Sequence, residues 1–305
     1  MEYRNMPGTD LNVSTVCLGT MTFGTPVGEK DAVRLVNTAL DRGINFIDTA
    51  NMYEGYSRVP GSSGGVAEEI LGKALKGTRS RVVLATKVGM KVGSEPEDEF
   101  TSPAAIRKHL DRSLKKLGVD TIDLYYLHKY DPVSPLEEIL HALDHVIRQG
   151  KIRYYGVSNY SAEQLSKLIE TADKFKLPRP VVCQPPLSLL KQDALADIIP
   201  VCVREGISAV PYQILQGGLL TGKYKKGKPA PQGSRMDEKP DWVWDMTEQV
   251  CDMLERIERE ASNTGLTMTQ YAIRWALSCP GVVSAIVGVK REEQINEAVI
   301  AAAGI

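Results

Sequence analysis

A closed (β/α)8 barrel, with one extra helix and long βα loops, is the fold class this 305-residue sequence predicts. Two observations predict it. Short β-branched runs alternate with longer helical runs eight times, which implies parallel strands joined by crossover helices. The first strand then runs into CLGTMTFG, which lacks the GxGxxG expected of the rival doubly wound open sheet. All of residues 1–305 read as one domain of this kind, within the size a single barrel reaches.

The elements follow in order. STVCLG (14–19) is the first strand and EKDAVRLVNTALDRG its helix, ended by Gly43. INFIDT (44–49) is the second strand, rich in β-branched and aromatic bulk. A loop, EGYSRVPGSSGG (54–65), separates it from the helix VAEEILGKALKG, ended by Gly77. RVVLATK (81–87) precedes PAAIRKHLDRSLKKLG, from Pro103 to Gly118, and TIDLYYLH (121–128) precedes PLEEILHALDHVIRQG, from Pro135 to Gly150. IRYYGVSN (152–159) precedes SAEQLSKLIETADKF, opened by Ser161, and PVVCQ (180–184) precedes DALADIIPVCVREG, ended by Gly206. ISAVPY (207–212) leads to a polar loop over 222–241, then to WVWDMTEQVCDMLERIERE, the extra helix, and TMTQYAIRWALSC. VVSAIVG (282–288) and REEQINEAVIAA close the series. Proline or serine at helix starts and glycine just past helix ends are the expected punctuation. GSSGG does not directly follow a strand, so it reads as a flexible loop feeding a helix rather than a phosphate cradle.

Composition narrows the class. With 43% hydrophobic and 25% charged residues the chain is of ordinary globular type, and a net charge of -1 gives no basic excess for nucleic acid. No apolar run approaches the ~18 residues of a membrane span, and MEYRNMPGTD lacks the apolar core of a signal peptide. A cytoplasmic protein is expected. Five scattered cysteines without a CxxC pair read as reduced, buried thiols.

The chemistry is read from the strand ends. The second strand ends in Asp48, the third in Lys87 and the fourth in His128; Ser158 and Asn159, Gln184 and Tyr212 end the next three, and Gly288 and Lys290 follow the eighth. A barrel gathers these ends on one face, where barrel active sites lie. Tyr53, just past the second strand, reaches the same point. A tyrosine with its ordinary pKa of ~10 is a weak acid at neutral pH, and a nearby ammonium lowers it. Lys87 is read as that ammonium, Asp48 as its counter-charge and His128 as a donor to a substrate oxygen: a proton-transfer site aimed at a carbonyl or alcohol. The plain alternative is an Asp48–Lys87 salt bridge with an incidental tyrosine and histidine.

Here the sequence resembles the aldo-keto reductases over roughly residues 8–300, through LGTMTFG (18–24), GINFIDTANMYEG (43–55), VVLATKVG (82–89), IDLYYLH (122–128), YYGVSN (154–159), LLTGKY (219–224) and IVGVKREEQ (286–294). The resemblance implies a (β/α)8 barrel, a catalytic tetrad of Asp48, Tyr53, Lys87 and His128, and a nicotinamide cofactor across the C-terminal face. Ser158, Asn159 and Gln184 match the carboxamide positions, with Asp48 beside them. Tyr212 matches the ring that stacks on the nicotinamide, and Gly19, Thr20 and Met21 the loop beneath it. Leu215, Gln216, Gly217 and Lys223, with Arg235, fall where the family wraps the pyrophosphate, and Gln213 just before them is a further cofactor-binding position. Gly288, Lys290 and Gln294 match the adenosine end. Lys290 facing a 2′-phosphate favours NADPH/NADP+, with NADH as the second choice. The chain departs from the family pattern at Gln213 and Ile214, at Leu187 and Ser188, and at Ala298, where an asparagine commonly meets adenine.

The expected function is therefore an NADPH-dependent reductase interconverting an aldehyde or ketone, including a sugar carbonyl, and its alcohol. Its partner is a small-molecule substrate, with no nucleic acid or membrane and with room for a homo-oligomer. Alternatives are an aldose or alcohol dehydrogenase running oxidatively, a cofactor-sensing partner subunit like the potassium-channel β-subunits, and a Schiff-base lyase using Lys87, which Asp48 opposes. Arg58 is read as a grip on an anionic or polyhydroxyl substrate, against a solvated loop arginine. His141 and His145 share a helix face at zinc-like spacing without a third ligand, so they read as solvated. No metal site is expected.

Overall fold

The computed structural model describes residues 1–59 and 61–303. Eight parallel strands form one sheet: β3 (Val16–Gly19), β4 (Phe46–Asp48), β5 (Val83–Val88), β6 (Ile122–Leu127), β7 (Ile152–Ser158), β8 (Val182–Gln184), β9 (Ser208–Ala209) and β10 (Ala285–Gly288). Each pairs with the next, and β10 pairs back onto β3. Closure between β9 and β10 comes from the Val283 N–H donating to the Ala209 carbonyl and the Ile286 N–H to the Pro211 carbonyl, both at 3.0 Å. The eight strands predicted from the sequence are the eight of the barrel.

Side-chain alternation sorts each strand between two cores. Ile47, Leu84, Val88, Tyr125, Leu127, Tyr155 and Val157 face the outer helices. Cys17, Phe46, Ala85, Leu124, Tyr126 and Val182 fill the interior. One step further along the inner face stand Asp48, Lys87, His128 and Gln184, two residues after Phe46, Ala85, Tyr126 and Val182. The polar constellation is thus the top layer of a packed barrel. Gly156 allows the Tyr126 ring to lie inside, since a Cβ there would come within 2.9 Å of it.

The helices are α1 (Glu29–Asp41), α2 (Val66–Ala74), α3 (Pro103–Leu117), α4 (Leu136–Arg148), α5 (Ala162–Phe175), α6 (Asp193–Ala196), α7 (Ile198–Glu205), α8 (Arg235–Glu238), α9 (Glu248–Asn263), α10 (Met268–Ser278) and α11 (Glu292–Ala301), of which α8 lies in the polar segment between β9 and α9. Gly43, Gly77, Gly118, Gly150 and Gly206 all take positive φ just past helix ends, as their positions predict. Three local readings need correction. The helix read from Asp193 is broken at Asp197, because Pro200 has no N–H for the Ala196 carbonyl and its ring crowds that oxygen. The extra helix starts at Glu248, not Trp242, because Thr247 caps it by accepting from the Val250 N–H at 3.3 Å. And an antiparallel hairpin absent from the sequence reading, β1 (Tyr3–Asn5) with β2 (Asn12–Ser14), precedes the barrel. Its Met6, Leu11 and Val13 pack with the interior residues and plug the barrel floor.

Candidate active site

The four tetrad positions converge. Lys87, fully buried, donates from Nζ to Asp48 Oδ1 at 2.5 Å, to the Thr49 carbonyl at 2.8 Å and to Tyr53 Oη at 3.3 Å. The register of β3 on β4 and of β4 on β5 sets Asp48 beside Gly19 and Ala85, so the buried carboxylate opens toward Lys87 two residues along. Gln184 donates from Nε2 to Asp48 Oδ2 at 3.0 Å, so both carboxylate oxygens are occupied. The rings of Tyr53 and His128 meet edge to face, 6.1 Å between centroids.

The electrostatics differ from the sequence expectation at Tyr53. Burial raises its phenol above the ordinary value, Lys87 pulls it down, and the Asp48 carboxylate pushes it up again. Asp48 offsets part of the Lys87 field at Tyr53, and desolvation wins. Lys87 itself is pulled down by burial, but Asp48 and Tyr53 outweigh that and hold the ammonium charged. Asp48 is raised by burial, against Lys87 and Gln184. His128 lies well below its ordinary value, first from burial and then from the charges of Lys87, Arg58 and Lys129. The site therefore holds a protonated phenol, a charged lysine and a neutral imidazole.

The next ring of residues is cross-linked. Asn159, at φ 58°, donates from Nδ2 to the His128 carbonyl at 2.8 Å and accepts from Tyr212 Oη at 2.7 Å. Ser158 Oγ donates to the Gln184 carbonyl at 2.9 Å. Burial raises the Tyr212 phenol to about 12. The Thr20 N–H and hydroxyl both donate to the Asp48 carbonyl, and Met21 beside it is half-buried.

Several predicted cofactor residues have internal partners. Gln216 Oε1 accepts from Ser188 Oγ at 3.0 Å, and Gln294 Oε1 caps α11 by accepting from the Lys290 and Arg291 N–H groups. Gln213 is exposed at φ 59°, and Leu215 is half-buried against the core. Gly217 lies at φ 66° within the 3₁₀ segment Gln216–Thr221. The departures from the family pattern are absorbed by packing: Leu187, Ile214 and Ala298 are core residues.

A phosphorylated dinucleotide fits the remaining groups. Lys223, Arg235, Lys290 and Arg291 gather, so that burial and then the other three cations pull the Lys223 amine down. Gly19 and Gly288 are in register across β3 and β10, and a Cβ on Gly288 would meet nothing within 4 Å, which leaves open backbone at the rim. Excess positive charge beside open backbone is what a phosphate requires.

The described residues of loop 54–65 are tied down rather than free. Arg58 donates to the Met52 carbonyl at 3.1 Å, to Ser62 Oγ at 3.2 Å and to the Lys91 carbonyl, and pairs with Glu54 at 3.8 Å. Glu54 accepts from the Gly64 N–H at 3.0 Å and from Ser62 Oγ. Gly55 is obligatory, since a Cβ there would fall 2.0 Å from the Thr25 carbonyl oxygen. Further along, Tyr56 meets Trp242 edge to face and accepts from Arg235 Nε at 3.1 Å. Sequence reasoning missed Glu54, Tyr56 and Glu238, whose Oε2 accepts from Lys290 Nζ at 2.5 Å. The i,i+4 spacing of Glu54 and Arg58 was a usable signal for the first; nothing local pointed to the others. His141 and His145 are exposed, the cysteines are free and buried, and no cluster of metal-ligating side chains occurs among the described residues.

Residues 15–303 match the aldo/keto reductase family. The chain belongs to that family. Among its relatives are an uncharacterized oxidoreductase, YrpG, of Bacillus subtilis, 36% identical over 98% of this chain and 90% of the relative, and the L-glyceraldehyde 3-phosphate reductase of Escherichia coli, 30% identical over 97% and 86%. A probable voltage-gated potassium channel subunit beta of Arabidopsis thaliana is 33% identical over 97% and 90%. As an aldo/keto reductase the protein is an oxidoreductase of carbonyl and alcohol groups, and such enzymes use nicotinamide cofactors on small-molecule substrates. No helix among the described residues is long and apolar enough to cross a membrane.

Proposed function

We propose that the protein is a cytoplasmic NADPH-dependent carbonyl reductase in which Tyr53 gives the proton. When bound, a nicotinamide would supply the hydride for the carbonyl carbon. Tyr53 releases its hydroxyl proton to the carbonyl oxygen, and the phenolate left behind is held by the Lys87 ammonium. Asp48 keeps that ammonium charged and fixed, with Gln184 closing its other oxygen. Neutral His128 orients the substrate oxygen as a hydrogen-bond donor without competing as an acid. Ser158 and Asn159 would hold the carboxamide of a bound nicotinamide, and Tyr212 would lie against its ring. Lys223, Arg235 and Lys290 would hold the cofactor's phosphates. The substrate class is an aldehyde, ketone or sugar carbonyl.

The observation that carries the reading is the buried Lys87 ammonium, 2.5 Å from Asp48 and 3.3 Å from the Tyr53 hydroxyl. The same groups run the reverse oxidation. Tyr53→Phe should lower kcat on a panel of aldehydes by about 10²–10⁴-fold with NADPH affinity unchanged. Near-full activity in that variant would remove Tyr53 as the acid. The similarity to potassium-channel β-subunits supports a second reading, a cofactor-sensing subunit. Tight NADPH binding with turnover on no member of the panel would favour it.

A further inference from the structure

Lys290, which the cofactor reading assigns to the 2′-phosphate, already holds an anion. Its Nζ donates to Glu238 Oε2 at 2.5 Å and to the Gly233 carbonyl at 2.9 Å. Its ammonium also lies 4.9 Å from the centre of the Tyr56 ring. Glu238 is the last residue of α8, in the segment that crosses the barrel mouth, while Lys290 follows β10 on the barrel itself. The contact therefore clasps segment to barrel. Arg235, at the other end of α8, repeats the pattern by donating to the Tyr56 hydroxyl, which belongs to loop 54–65. A single carboxylate thus reaches from the segment into a group of four cations, and it takes the one nearest the end of β10.

We propose that Glu238 is the selectivity residue for the nucleotide: an internal carboxylate occupying the anion position at Lys290, which a 2′-phosphate must displace and a plain ribose need not. The inference rests on the cofactor reading above. Two anions cannot share one ammonium's best donor positions without repelling each other, so Glu238 weakens a 2′-phosphorylated ligand selectively. The pair is partly exposed, at 24% and 31% for the two side chains, so it is weak enough to exchange. Glu238 therefore narrows the preference for NADPH that Lys290 creates. A nucleotide without the phosphate leaves the clasp intact.

Calorimetric titration with adenosine 2′,5′-bisphosphate and adenosine 5′-monophosphate separates the terms, because neither probe needs turnover or a carbonyl substrate. Glu238→Gln keeps the size and a hydrogen-bonding oxygen but removes the charge. It should bind the bisphosphate about tenfold more tightly, which is ~1.4 kcal/mol, with the monophosphate unchanged. Lys290→Met should lose most of the bisphosphate's advantage, and the double variant should resemble it. An equal change for both probes, or no change for either, in Glu238→Gln would overturn the role of Glu238. An unaltered bisphosphate preference in Lys290→Met would instead overturn the assignment of Lys290 on which it rests. Unchanged thermal melting of both variants shows that affinity, not folding, is being read; a Glu238→Gln variant that loses its melting transition would mark Glu238 as structural and overturn the proposal.

Discussion

Two lysine–carboxylate pairs stand at the mouth of the barrel at the same 2.5 Å separation, in opposite surroundings. Lys87–Asp48 joins neighbouring strands, its side chains 0% and 3% exposed, with further partners at Thr49, Tyr53 and Gln184. Lys290–Glu238 joins a crossing segment to the rim, half-open to water. A buried pair is held by the expense of exposing either charge alone, whereas a surface pair competes with solvent and adds little. Distance alone does not distinguish a pair fixed in the interior from one that solvent can exchange; burial and the remaining partners do.

Breaking each pair by one charge is the sharpest test of that contrast. Asp48→Asn strands the Lys87 ammonium in the interior and should lower unfolding free energy by about 3–5 kcal/mol. Glu238→Gln should change it by less than about 1 kcal/mol. Urea unfolding of the two variants side by side measures the difference, and equal losses would erase the distinction. Replacing both buried charges, Asp48→Leu with Lys87→Met, should recover much of the stability lost in the single variant while leaving no activity.

The buried pair also has its own pH signature. Lys87 is raised above its ordinary 10.5 in the fold, so its contribution to stability is complete below that value and is lost as pH rises through the folded pKa. Asp48 is raised as well, so its burden eases as pH falls toward 3.8. Both place the pair's failure on the alkaline side. The wild type should lose stability above about pH 10.5 more steeply than the double variant without the pair; parallel curves would mean that Lys87 does not titrate with folding.

The constellation was legible in the sequence because alternation does two jobs at once. The rule that places Phe46, Ala85 and Tyr126 inside the barrel also places Asp48, Lys87 and His128 above them, so strand ends suffice to predict that these side chains converge. The balance of charges around Tyr53 was not legible: Lys87 is visible in sequence as a cation, but desolvation and the opposing Asp48 field exist only once the three are packed. Nor was the hairpin, whose strands YRN and NVS are too short and polar to register, although Met6 and Leu11 complete the barrel floor. The Tyr56–Arg235 and Lys290–Glu238 contacts join residues 179 and 52 positions apart, which no local pattern reports.

Arg58 is the mildest test, because it lies between the two extremes, with its side chain 15% exposed and its partner Glu54 at 12%. Its guanidinium serves two carbonyls and a hydroxyl of the loops beside the tetrad, and its charge is felt at His128. Arg58→Ala should therefore do two things of opposite sign. At neutral pH the orphaned acceptors should lower stability by about 1–2 kcal/mol. Below pH 6.5 the unfolded chain takes up a proton that the folded His128 refuses, so wild-type stability falls as pH drops toward the depressed folded pKa. Removing a neighbouring cation lets His128 accept that proton more readily and makes the fall shallower. Urea unfolding at pH 7.5 and pH 5.5 should thus show a smaller gap between variant and wild type in acid. A gap that stays constant would mean that Arg58 acts on the loop alone, leaving burial, Lys87 and Lys129 to keep the imidazole neutral.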